Sequence, residues 1–83
     1  MNKVVSVKPH DDYSLELTFN DGSLKLFDVR PYLDYEVFRE LKDLDYFRQV
    51  KVAFGTVNWP HEQDISPETL CLEGAPVAES IPA

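Results

Sequence analysis

The run Tyr13-Ser14-Leu15-Glu16-Leu17-Thr18-Phe19-Asn20-Asp21-Gly22-Ser23-Leu24-Lys25-Leu26 narrows most what this chain can become. Tyr13, Leu15, Leu17 and Phe19 alternate with polar residues, the period of a half-buried strand. Asp21-Gly22 follows, and both residue types suit positive φ, so the pair predicts a two-residue type I′ turn. That loop sets Phe19 opposite Leu24 and Leu17 opposite Leu26, all on one face. Thr18 then faces Lys25 on the other side, with Glu16 diagonal to it. Both faces are chemically sensible in this register.

The flanking segments supply more strands. Val4, Val5 and Val7 predict a strand over residues 3–8 with Val5 and Val7 on one face. Pro9-His10-Asp11-Asp12 reads as the turn after it. Further on, Val50, Val52, Phe54 and Val57 point to two short extended runs, 51–54 and 57–59. Gly55 lies between them, as a tight hairpin or a bulge would require. Pro60 ends the strand that Trp59 closes.

Between these strands the spacing changes. Leu33, Val37, Leu41, Leu44 and Phe47, with Phe38 beside them, form a helical stripe. Asp34 is a candidate N-cap for a helix near 35–41, and Asp43 or Asp45 for a second one running through Gln49. One bent helix and two short ones fit equally. Ser66-Pro67-Glu68 is a helix start: Ser caps, Pro takes the first helical position and Glu complements the dipole. Gly74 ends that helix. The expectation is one α+β domain over residues 1–74, followed by a loose tail over 75–83. It has a small antiparallel sheet of about four to five strands, one or two short helices packed on it and a short C-terminal helix. At 83 residues, such a domain buries only roughly 60–65 % of the surface its unfolded chain exposes.

Charge limits the partners. The net charge is −7, and the eight basic residues run from Lys3 to Lys51 with none beyond. Phosphate would be repelled, so direct nucleic-acid binding is not expected. The acidic C-terminal third serves solubility first and would suit a basic partner protein second. A single cysteine, Cys71, leaves no intramolecular disulfide and fits a reducing, cytoplasmic setting. No apolar run approaches the ~18 residues of a membrane span, and the N-terminus lacks a signal-peptide pattern.

No catalytic constellation emerges. His61-Glu62-Gln63-Asp64 groups three ligand types, but without a second nearby His it reads as a solvated turn rather than a metal site. Cys71, between Leu70 and Leu72, reads as a small packing residue. The pairs Asp11/Asp12, Asp43/Asp45 and Glu62/Asp64 sit where turns and caps favour Asp. Three isolated glycines make no phosphate loop. No catalytic residue, metal or cofactor is therefore expected. Trp59 reads first as a core anchor and second as part of a partner surface. The aromatics Tyr32, Tyr35, Phe38, Tyr46 and Phe47 read as core, with room for an exposed ring in an interaction patch. The candidate partner-binding residues are Tyr32, Tyr35, Trp59 and Asp64.

The segment Val57-Asn58-Trp59-Pro60-His61-Glu62-Gln63-Asp64-Ile65-Ser66-Pro67-Glu68-Thr69-Leu70 resembles the closing signature of the small bacterial domain-of-unknown-function family twenty-four forty-two. That signature is Trp-Pro, three variable positions, Asp, an aliphatic, any residue, Pro, an acid, any residue and Leu. Trp59, Pro60, Asp64, Ile65, Pro67, Glu68 and Leu70 fill it without a gap, and the likeness extends over about residues 4–72. The family's usual Asn-Gly after Trp-Pro is His61-Glu62 here. The resemblance implies an α+β fold with an antiparallel sheet and no established catalytic residue. Some relatives carry a helix-turn-helix domain, for which the sequence after Leu72 is expected to leave no room. Others stand beside a second small family, which implies an antitoxin-like pairing. The functional expectation is a non-enzymatic protein-interaction or regulatory module, with a homodimer admitted. The alternative is a small-molecule-sensing domain with a pocket between sheet and helix.

Overall fold

A computed structural model describes residues 2–77. Among these residues seven strands form two antiparallel sheets. The first has the order β1-β2-β3-β7, from Val4–Pro9, Ser14–Phe19, Leu24–Asp28 and Ala75–Pro76. The second has the order β4-β5-β6, from Lys51–Ala53, Thr56–Asn58 and Asp64–Ile65. The α+β class is as expected, with the strands divided between two sheets. They meet where the Val4 N–H donates to the Gly55 carbonyl at 2.9 Å. Among the described residues no helix is long and apolar enough to cross a membrane.

The central hairpin forms, but its register corrects the expected one. Leu17 pairs with Lys25, Thr18 with Leu24 and Leu15 with Phe27, one residue away from the predicted alignment. The cause is the loop. The Gly22 N–H donates to the Phe19 carbonyl and the Phe19 N–H to the Ser23 carbonyl, each at 2.9 Å. Gly22 takes φ +87° while Asp21 does not take positive φ. This is a three-residue loop, a type I turn closed by a left-handed glycine bulge. Asp21 favours it because its Oδ1 accepts from Ser23 N at 2.9 Å and Ser23 Oγ at 2.7 Å.

One residue of slip exchanges the faces of β3. Phe27 joins Leu15, Leu17 and Phe19 in the core, and Leu26 becomes exposed. Lys25 lies on the core side, where helix α2 (Pro67–Glu73) covers it. Its Nζ donates to the Cys71 carbonyl at 2.6 Å, a cation placed on the last turn of a helix. In β1 a register shift between Val4 and Ser6 has a similar effect. Val4 is buried and Val5 exposed, so the predicted Val5/Val7 face is replaced by Val4 with Val7.

The expected helical stripe is realised as 3-10 turns at Arg30–Tyr32 and Glu36–Lys42, then one α-helical turn, α1, at Leu44–Phe47. With three residues per turn, the 3-10 segment sets Phe38 and Leu41 inward and leaves Val37 exposed; extended Asp43 breaks the run, and α1 then adds Leu44 and Phe47 to the inward face. Asp34 does not cap; Tyr35 holds that position without a side-chain bond, and Asp34 pairs with Lys42 at 3.1 Å. Asp43 does cap α1, accepting from Asp45 N at 3.0 Å. Ser66 caps α2, accepting from Thr69 N at 3.2 Å, and Pro67 opens it.

Ala75–Pro76, expected in the loose tail, pairs with Lys25 and Leu26 as β7. Residues 78–83 of that tail lie outside the described residues. The core gathers around Trp59. Its ring is 6.0 Å from that of Phe47, and its Nε1–H donates to the Phe47 carbonyl at 2.9 Å. Tyr13 meets Phe47 edge-on at 5.4 Å, and its hydroxyl donates to the Lys42 carbonyl.

Candidate functional site

The loop after β5 repeats the geometry of the first hairpin with different residues. The Glu62 N–H donates to the Trp59 carbonyl at 2.9 Å and the Trp59 N–H to the Gln63 carbonyl at 3.0 Å. Pro60 supplies the fixed φ that the first central position of a type I turn favours. Glu62 takes φ +74°, the role Gly22 plays in the other loop. The hairpin of β4 and β5 turns at Phe54-Gly55, with φ +54° and +75°. This is a two-residue I′ loop, whose first position favours Asn, Asp or Gly. Phe54 holds it with its side chain out: the residue is 99 % exposed.

Phe54 and Glu62 border the same feature. An open groove of about 380 Å³ runs across the second sheet, with Lys51, Phe54, Asn58, Pro60, Glu62 and Asp64 in its lining. Register sets the polar row: Lys51 lies opposite Asn58, and Asn58 opposite Asp64. The Asn58 amide turns inward, donating to the Ala53 carbonyl at 2.9 Å and the Thr56 carbonyl at 3.3 Å. Asp64 and Glu62 engage no described side chain in a hydrogen bond or ion pair.

Beneath the loop a polar network ties it to the helical segment. The Tyr46 hydroxyl donates to Gln63 Oε1 at 2.6 Å and accepts from the His61 N–H at 2.8 Å. Gln63 Nε2 donates to Glu40 Oε1 at 2.9 Å, while His61 Nδ1 lies 2.7 Å from Glu40 Oε2. The amide of Gln63 first, and His61 second, hold the Glu40 carboxyl below the usual glutamate range. These groups are bound to one another, so the network braces the loop. Among the described residues no three His, Cys, Asp or Glu are grouped to hold a metal.

The four residues expected to meet a partner do not come together. Trp59 is 2 % exposed, so its ring belongs to the core, although the residue is part of the groove's lining. Tyr32 and Tyr35 form a separate cluster, their rings 5.8 Å apart and perpendicular. Tyr32 also stacks on Phe27 at 5.7 Å. Its hydroxyl donates to Glu73 of α2, which pushes the Tyr32 pKa up to about 12. Tyr32 is thus engaged within the fold, whereas Tyr35 is exposed. Asp64 alone of the four stands in the groove with an uncommitted side chain. Phe54 and Glu62, outside the expected partner-binding set, also line the groove. The readable signal was in the loops: Phe54-Gly55 fills a two-residue turn, and Trp59 to Gln63 repeats the spacing of Phe19 to Ser23.

The fold and groove define a class, a small α+β domain of two antiparallel sheets with an open groove on the smaller one. The model of the family described as "Protein of unknown function (DUF2442)" matches residues 4–75, and the chain belongs to that family. No curated protein and no solved structure matches it. Within this chain Glu62 occupies a left-handed position of the kind that glycine favours.

Proposed function

We propose that this domain is a protein-interaction module and that the groove across β4, β5 and β6 is its docking face. One observation carries the reading. Two residues that are not glycine, Phe54 and Glu62, adopt left-handed backbone at the groove's rim with their side chains exposed. Each costs on the order of 1 kcal/mol against glycine; Phe54 is almost fully exposed, and Glu62 is exposed with no side-chain hydrogen bond or ion pair among the described residues. Strained backbone that carries outward side chains is a mark of a surface kept for binding. Tyr13, the third left-handed residue, is different: its ring and hydroxyl are used inside. An antitoxin-like pairing with a neighbouring small protein is one form this reading takes.

The test uses two substitutions that suit the backbone. Phe54→Asn and Glu62→Gly relieve the strained positions while removing the exposed side chains. The doubly substituted chain, co-expressed with the product of the adjacent gene, is expected to melt no lower than the parent and to lose co-purification. Retention of an intact complex by the double variant would remove the groove from the binding face.

A further inference from the structure

From the charges around the groove we infer its occupant: an extended segment of a partner protein that presents an arginine, with an apolar neighbour, to Asp64, Glu62 and Phe54. This rests on the docking reading above and adds the chemistry of the partner.

Six carboxylates, those of Asp11, Glu16, Asp28, Asp34, Glu40 and Asp45, have cationic or imidazole partners within the fold. Glu62 and Asp64 have none and share one groove. Residues 52–83 contain five carboxylates and no Lys or Arg, and the groove's lining sets Lys51 against the two carboxylates. Glu62 and Asp64 outnumber Lys51 in that lining, while Lys3 packs at Gly55 behind the Phe54 turn; on a molecule of net charge −7 complementary charge favours a cationic occupant. Lys51 holds the opposite end of the Lys51–Asn58–Asp64 row. A cation is thus directed toward Glu62 and Asp64, away from Lys51.

Phe54 decides between the two basic side chains. Its ring is bare at the rim, within the same groove as the carboxylates. A guanidinium can bond a carboxylate through two parallel N–H groups and also lie flat on an aromatic face, whereas an ammonium is a compact, strongly hydrated charge. The groove lies open across a short sheet, which suits an extended segment rather than a helix. The side chain next to the arginine then covers Pro60 or the free side of the Phe54 ring.

Selection from a random peptide library displayed on phage, against the full chain, tests this. Enriched peptides are expected to share an arginine beside an apolar residue. Their synthetic versions are expected to bind about tenfold more weakly to the Asp64→Asn variant, to weaken with added salt, and to weaken again when arginine is replaced by lysine or by uncharged citrulline. Peptides that depend on Phe54 and Glu62 but carry no arginine would overturn this inference and leave the docking reading standing. Failure to recover any peptide sensitive to Phe54→Asn would overturn both. A dimer of the chain alone, seen by light scattering and dissolved by Phe54→Asn, would assign the groove to a second copy and overturn the partner segment.

Discussion

A Cβ at position 74 would lie 2.7 Å from the Leu70 carbonyl and 3.2 Å from Lys25 Cβ. The backbone there has φ −72°, which any residue can adopt, so glycine is required by close approach alone. Gly74→Ala is expected to cost about 1–3 kcal/mol, read as a lower midpoint of urea unfolding with unchanged slope. Glu62 is the converse case: a side chain stands where the backbone favours its absence. Glu62→Gly is expected to leave stability unchanged or raise it by up to about 1 kcal/mol. A clear loss on the same urea curve would mean that the Glu62 side chain supports the loop. Residue type alone announces neither demand; the Glu62 slot is legible only in the way Trp59 to Gln63 repeats the spacing of Phe19 to Ser23. Gly74 looked like a helix terminator and Glu62 like an ordinary solvated turn residue.

At the scale of elements, the chain's periodicity announced which segments pair and which pack, but not their phase. Two short loops set the phase. Asp21 bonding Ser23 chose a three-residue loop over Asp-Gly's two-residue one, and that single residue moved Lys25 inward and Leu26 outward. The helical stripe was legible as a stripe. Its inward members divide between the 3-10 turn, which carries Phe38 and Leu41, and α1, which carries Leu44 and Phe47, and Val37 at period four was the false member. The Trp-to-Leu signature was legible as family and as fold closure. Its groove was not, because it is completed by Phe54 and Lys51 of another hairpin. The loop that carries the signature hangs on Tyr46. Tyr46→Phe removes both the donor to Gln63 and the acceptor for the His61 N–H. Leaving those buried and half-buried groups unpaired is expected to cost about 1–3 kcal/mol. Faster hydrogen exchange at the His61 amide should accompany it. An unchanged amide would show that the loop holds its shape without the network.

For the molecule as a whole, acid is the condition to which the fold is most exposed. Asp12, Asp21 and Asp28 are held below their ordinary value of 3.8, chiefly by the side chains of Ser14, Ser23 and Arg30. Glu40 is held below 4.5, chiefly by Gln63. A carboxyl whose folded pKa is depressed stabilises the native state above its unfolded value, and that contribution fades as pH falls through the folded value. The net charge of −7 acts in the other direction. Protonating unpaired carboxylates first relieves mutual repulsion, so acidification from neutrality toward pH 5 should change stability little. Below about pH 4.5 the unfolded chain binds protons that these depressed groups still refuse in the fold, and the melting temperature is expected to fall continuously. Glu40→Gln isolates one share of this. The amide oxygen can still accept from Gln63 but cannot titrate, so the variant's melting temperature is expected to decline less steeply below pH 4.5 than the parent's. Parallel pH profiles would show that Glu40 is no more strongly bound folded than unfolded. The brace between the Trp59 loop and the helical segment would then rest on Tyr46 and Gln63 alone.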